Sequence, residues 1–233
     1  MTKLVLLPGM DGTGDLFDDF ISALPRSFEV VAVRYPIEHP PQHTELLHYI
    51  RSVCPSSESF AIVAESFSTP LAIRYAAAKP QNLKCLIMCA GFATSPLSGW
   101  RRAVASLVAS AELNRPMPES AIRWFLLGPS APSDLVLRVR QAISSVRSDV
   151  LCSRLREILA CDVRQELAQV TAPVLYIQAR NDRLVRDSSL DTIKAIRPNT
   201  SVVVLNAPHL LLQVQPRRAA EAVANFVCQH DLQ

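Results

Sequence analysis

Phe60-Ala61-Ile62-Val63-Ala64-Glu65-Ser66-Phe67-Ser68-Thr69-Pro70-Leu71-Ala72-Ile73-Arg74-Tyr75-Ala76-Ala77-Ala78 begins as a short apolar run with β-branched residues. It continues as a helical stretch, with Ser66 at the junction. A run that is apolar in both of its alternating rows, as Phe60 to Val63 is, suits a strand buried on both faces. A buried strand that turns at once into a helix is the repeating unit of a parallel sheet clothed in helices.

The same alternation extends in both directions. Apolar runs of strand length stand at 4–7, 29–33, 60–63, 84–89, 173–177 and 201–205, and helical patterns at 15–24, 44–53, 68–78, 188–196 and 216–229. The expected fold is α/β: a doubly wound, mostly parallel six-stranded sheet. The rhythm breaks after Gly91. From Ser95 to Glu166 apolar positions recur at helical spacing instead, as in Trp100, Val104, Leu107 and Val108, or Leu151, Leu155, Ile158 and Leu159, with prolines at the edges and internal turns. The expected organisation is a core of residues 1–94 and 167–233 with an all-helical insertion over 95–166. No internal repeat or low-complexity tract occurs.

The 233 residues are 49% hydrophobic and 19% charged, a globular composition with an apolar bias. A net charge of +3 singles out neither nucleic acid nor a membrane surface as partner. Met1-Thr2-Lys3 leads straight into a strand-like run, and no stretch approaches the roughly 20 apolar residues of a membrane span, so a soluble, cytoplasmic protein is expected. The six cysteines are scattered through apolar segments. Cys85 and Cys89, in one expected strand, would stand about 13 Å apart, beyond disulfide reach, and reduced core thiols are expected.

Ser66 sits where a strand would carry it to the sheet edge and a tight turn would expose its Oγ, the geometry of a nucleophile elbow. On its own a serine near a helix start is more often an N-cap. A nucleophilic serine needs a base, an acid to orient it, and donors for an oxyanion. Of five histidines, His209 alone follows an expected strand, through Asn206-Ala207-Pro208. His39, His43 and His48 lie in and after a Pro-rich connection and read as surface or helix-face residues, not as a metal cluster. Asp182, in the loop after the fifth strand, fits the chain order serine, acid, histidine. Asp187 is its rival but reads as the N-cap of the next helix, and the loop Ala90-Gly91-Phe92-Ala93-Thr94 carries no acid. Gly9, Gly12 and Gly14 crowd the turn after the first strand, where glycine allows amides to face a site. A dinucleotide site there ranks well behind an oxyanion loop, since the G-x-G-x-x-G spacing is missing, and no cofactor or metal is expected.

Taken together, Leu4-Val5-Leu6-Leu7-Pro8-Gly9-Met10-Asp11-Gly12, Ala64-Glu65-Ser66-Phe67-Ser68, Ala179-Arg180-Asn181-Asp182-Arg183-Leu184-Val185 and Ala207-Pro208-His209 resemble the α/β-hydrolase superfamily. The Pro-Gly-Met-Asp-Gly-Thr-Gly opening is similar to that of bacterial esterase-like proteins and of plant enzymes that move acyl groups onto alcohols. The resemblance implies Ser66 as nucleophile, His209 as general base and acid, and Asp182 as its orienting partner. It also implies the backbone N–H groups of Met10 and Phe67 as oxyanion donors, and the insertion as a lid. Three departures stand out: Pro8-Gly9 replaces the usual His-Gly, Ala64 and Ser68 replace the elbow glycines, and the given sequence starts at the strand that bears the glycine loop, where that family has antiparallel strands first.

The implied chemistry is cleavage of an ester or thioester. Transfer of the acyl group to an alcohol, or ligand binding without catalysis, are the alternatives. Trp100, Trp124 and Phe125, with Leu126 and Leu127, could line an apolar acyl pocket or pack the insertion onto the sheet. Ten arginines (101, 102, 115, 123, 138, 140, 147, 154, 156, 164) face six acids (112, 119, 134, 149, 157, 162) between Arg101 and Arg164. That balance would suit coenzyme A or an acidic acyl carrier, or would simply solvate helix faces.

Overall fold

The computed structural model describes residues 2–40, 43–111 and 117–231; Glu112 and Arg115 of the charge count above lie outside them. Six strands, β1 (Thr2–Leu7), β2 (Phe28–Ala32), β3 (Phe60–Glu65), β4 (Leu83–Cys89), β5 (Val174–Ala179) and β6 (Ser201–Leu205), form one sheet in the order β2-β1-β3-β4-β5-β6. Every pairing is parallel. All six strand positions agree with the sequence reading to within two residues at each end.

Side chains alternate across each strand, so two cores form. On one face Val5, Leu7, Ile62, Ala64, Leu86, Met88 and Tyr176 pack under α2 (His43–Val53) and α3 (Ser68–Ala77). On the other, Leu4, Leu6, Ala61, Val63, Ile87 and Ile177 pack under α1 (Asp18–Ala23), α10 (Leu211–Val214) and α11 (Pro216–Asp231). The two-sided burial is why these strands are almost wholly apolar. The helix expected over 15–24 is divided into a 3-10 turn, Asp15–Phe17, and α1. Leu24 leaves the helix in an extended conformation because Pro25 follows it.

Between β4 and β5 lie α4 (Gly99–Ala111), α5 (Glu119–Ile122), a π-helical turn (Arg123–Leu127), α6 (Ser133–Ser144), α7 (Ser148–Ala160) and α8 (Arg164–Gln169). The two ends of this segment meet in a short antiparallel clasp: Thr94 bridges Asp162, Ser95 N–H donates to Cys161 O, and Val163 N–H to Ala93 O. A third apolar cluster, Ile122, Leu127, Leu135, Val136, Val139 and Ala142, closes around Leu16 and Leu210 of the sheet domain. Those two residues follow the glycine loop and His209, so the segment is seated on the carboxyl edge of the sheet.

Strand order reverses between β1 and β3, with β2 on one side and β4 to β6 on the other. In sheets of this kind loops from adjacent strands part at such a reversal, and ligand crevices open beyond the carboxyl ends there. The cysteines are all free; Cys54, Cys85, Cys89 and Cys152 are buried as expected, while Cys228 is exposed on α11. No helix among the described residues is long and apolar enough to cross a membrane.

Candidate active site

β3 delivers Ser66 to that edge of the sheet. The ladder runs one residue past the strand, through Ser66 N–H to Cys89 O at 2.9 Å, and then Ser66 takes a left-handed backbone with φ of 47°. For a residue with a Cβ this conformation costs about 1–3 kcal/mol, and the surroundings hold it in place. Thr69 N–H and Thr69 Oγ1 both donate to Ser66 O, and the same hydroxyl oxygen accepts Phe92 N–H at 3.1 Å. Gly91 is required there, since a Cβ would lie 2.5 Å from Thr69 Cγ2.

His209 and Asp182 come to Ser66 from the ends of β6 and β5. His209 Nε2 stands 2.8 Å from Ser66 Oγ, and His209 Nδ1 stands 2.7 Å from Asp182 Oδ2. The other Asp182 oxygen accepts Leu184 N–H at 2.7 Å and Val185 N–H at 2.9 Å, which fixes the carboxylate. Asp187, the rival acid, instead accepts Gln178 Nε2 at 2.7 Å. It is the first residue of α9 (Asp187–Ile196), whose cap position belongs to Arg186, so the expected capping role for Asp187 is corrected to a first-turn one. Burial opposes charging of His209, but the adjacent Asp182 and the nearby Glu65 outweigh it, and its pKa is raised above the ordinary 6.5.

The glycine loop after β1 lies opposite. Gly12 N–H donates to Gly9 O, closing a turn around Met10 and Asp11, and Tyr35 N–H donates to Gly12 O. Asp11 Oδ2 accepts both Thr13 N–H at 3.0 Å and Thr13 Oγ1 at 2.6 Å. Among the described residues, neither Met10 N–H nor Phe67 N–H donates to a protein acceptor. Ser68, in place of an elbow glycine, donates its hydroxyl to Pro8 O and meets Tyr35 OH at 2.7 Å. A hydroxyl facing an imidazole backed by a carboxylate can surrender its proton while attacking a carbonyl, and free amides nearby can receive the oxyanion.

Glu65 is buried with Gln213, close to the glycine loop. Gln213 Nε2 reaches Glu65 Oε2 at 3.4 Å, while Glu65 Oε1 and Gln213 Oε1 have no partner among the described residues. Burial, and then the charge of Asp11, push the Glu65 carboxyl from an ordinary 4.5 up to about 7. The folded protein therefore retains a proton that the unfolded chain releases, so stability falls as pH rises from 4.5 through 7. Urea unfolding should show Glu65→Gln gaining on wild type by about 3 kcal/mol between pH 4.5 and 8.5. Parallel stability curves for the two proteins would mean that Glu65 ionises normally.

Trp100 and Trp124 are 75% and 59% exposed, and Phe125 is half-buried. Trp124 stacks on the Arg183 guanidinium, 3.5 Å from its ring centroid, and Arg183 Nη1 donates to Trp124 O. Leu210 N–H donates to Leu126 O at 3.0 Å, so the turn Arg123–Leu127 borders both the Asp182 and His209 loops. The arginines of the segment are largely engaged within the protein. Arg123, Arg138, Arg147 and Arg164 pair with acids, and Arg101, Arg154 and Arg156 donate to carbonyls. No group of three His, Cys, Asp or Glu among the described residues is arranged to hold a metal.

The sequence reading passed over two participants. Ser68 reads from the sequence only as a replacement for an elbow glycine, although its hydroxyl ties the elbow to the glycine loop. Arg154 was counted as one more charge, although it falls between Leu151, Leu155 and Ile158 on the apolar stripe of α7 and is 1% exposed.

The Alpha/beta hydrolase family matches residues 4–222. No curated protein matches the chain. Solved structures do. An esterase from Exiguobacterium antarcticum has a TM-score of 0.86 at 13% identity, covering 97% of this chain and 92% of that one. A hydrolase from Pseudomonas aeruginosa PA01 has a TM-score of 0.79 at 22% identity, covering 97% and 89%. A bromoperoxidase from Bacillus anthracis has a TM-score of 0.83 at 13% identity, covering 97% and 91%. At such identities the likeness shows the fold.

Proposed function

Because the chain belongs to the alpha/beta hydrolase family, we propose that it hydrolyses a carboxylic ester or thioester through an acyl-enzyme on Ser66. The observation that carries this reading is the relay from Asp182 Oδ2 to His209 at 2.7 Å and from His209 to Ser66 Oγ at 2.8 Å. Ser66 Oγ bonds to the substrate carbonyl carbon as its proton passes to His209 Nε2. Asp182 holds the Nδ1 tautomer and stabilises the imidazolium. The N–H groups of Met10 and Phe67 receive the oxyanion. Collapse expels the alcohol or thiol, which takes the proton from His209. A water then gives its proton to His209 while attacking the acyl carbon, and Ser66 recovers its proton as the acid departs.

Residues 95–166 serve as the lid. Trp124 and Phe125, on the turn beside the Asp182 and His209 loops, and Trp100 on α4, meet the substrate at the rim. A panel of acyl esters and thioesters of varied chain length tests the reading directly. Turnover is expected with an acid limb whose midpoint lies above 6.5, since His209 must be neutral to act as base and its pKa is raised. A purified, folded protein that cleaves none of the panel would sink the proposal, and a limb below 6.5 would mean that burial outweighs the charge of Asp182 at His209.

A further inference from the structure

The loop that carries the Met10 donor is held from outside the sheet domain. Arg154, in the middle of α7, is 1% exposed. Its Nη1 donates to Met10 O at 2.8 Å and to Asp11 O at 2.7 Å, and its Nη2 donates to Pro36 O at 2.9 Å. The guanidinium also lies 5.7 Å from the centroid of Tyr35, the residue whose OH meets Ser68. Gly12 is the seat for it: a Cβ at that position would stand 2.4 Å from Nη1.

Each carbonyl from Pro8 to Gly12 thus has a partner. Ser68 holds Pro8 O, Gly12 N–H holds Gly9 O, Arg154 holds Met10 O and Asp11 O, and Tyr35 N–H holds Gly12 O. Peptide planarity converts this into an aim for the amides: with Gly9 O fixed, the N–H of Met10 in the same peptide unit points the opposite way. The turn keeps that peptide in place only while its central carbonyls are satisfied, and two buried carbonyls without donors would drive it to rearrange. Only a planar fork with several donors serves three carbonyls at once; a lysine ammonium is a single point.

We propose that Arg154 is a positioning residue for the oxyanion donor, reaching out of the β4–β5 helical segment to set the Met10 N–H, so that the donor is formed only when that segment is docked. The inference rests on the acyl-enzyme reading above. Loss of one oxyanion donor lowers kcat by about 10²–10³. Arg154→Lys and Arg154→Met should therefore lower kcat for a cleaved ester by about 10²-fold, with KM within about threefold of wild type. Urea unfolding should remain cooperative. Arg156→Lys, two residues along the helix and bonded to Ala109 O inside the segment, should keep wild-type kcat. A boronic acid, which forms a tetrahedral adduct on serine, should lose affinity in the Arg154 variants in proportion to kcat. Wild-type kcat in Arg154→Lys, an effect confined to KM, or an equal loss in Arg156→Lys would each overturn the inference. So would loss of cooperative unfolding in both Arg154 variants, since the residue would then support the whole fold. Inactivity of the wild type toward every ester and thioester would instead overturn the acyl-enzyme reading.

Discussion

Ser66→Ala should abolish ester turnover and fluorophosphonate labelling together, with a loss in kcat of about 10⁶ where the serine acts as part of a unit. The loss follows from position. Ser66 Oγ lies 2.8 Å from His209 Nε2, and without it the imidazole has no oxygen to deprotonate for attack. The fold should survive, because the backbone at Ser66 is held by Cys89 O, Thr69 N–H and Thr69 Oγ1, none of which touches the side chain. Alanine inherits the φ of 47°, so no strain is relieved and the unfolding midpoint should stay near that of wild type. Persistent labelling of Ser66→Ala would place the reactive group elsewhere.

Asp182→Asn should cost about 10⁴ in kcat with little change in stability, because an amide at that place favours the wrong imidazole tautomer. One asparagine oxygen can still accept Leu184 and Val185 N–H, so the loop has no reason to open. The acid limb of the rate profile should also move to lower pH, since the charge of Asp182 raises the pKa of His209. Asp187→Asn loses only a contact with Gln178 and should stay within a few-fold of wild type. The reverse outcome, with Asp187→Asn inactive and Asp182→Asn active, would overturn the assignment of the acid.

The sheet was legible because burial on both faces leaves a strand no polar row, and runs such as Phe60 to Val63 stand out against their surroundings. The residues proposed to react were legible because a parallel sheet gathers its strand ends at one edge, so Ser66, Asp182 and His209 could be sought in three loops. What stayed hidden depends on contacts between distant stretches. A hydroxyl at position 68 reads as a small residue until Pro8 and Tyr35 are beside it. Glu65, next to the serine in sequence, looks solvated until the strand turns it inward against Gln213. Arg154 was the most informative miss, for a charge on an apolar helical stripe is itself a signal that something polar waits beneath. Trp100 and Trp124 show the converse, since large apolar residues at helical spacing suggested enclosure and stand largely in solvent.

The clasp at Thr94 and Asp162 lets the chain leave the sheet domain and return within one bridge. A piece entered and left through so narrow a door can be exchanged for another of different length with little disturbance to the fold beneath, which is how one scaffold is refitted to new substrates. In this protein the exchange carries a condition. Gly12 keeps a vacancy shaped for a guanidinium, and any replacement cassette that brings none would leave the carbonyls of Met10 and Asp11 facing an empty socket. A replacement cassette would have to bring a donor to this one spot, or the glycine loop would have to change with it.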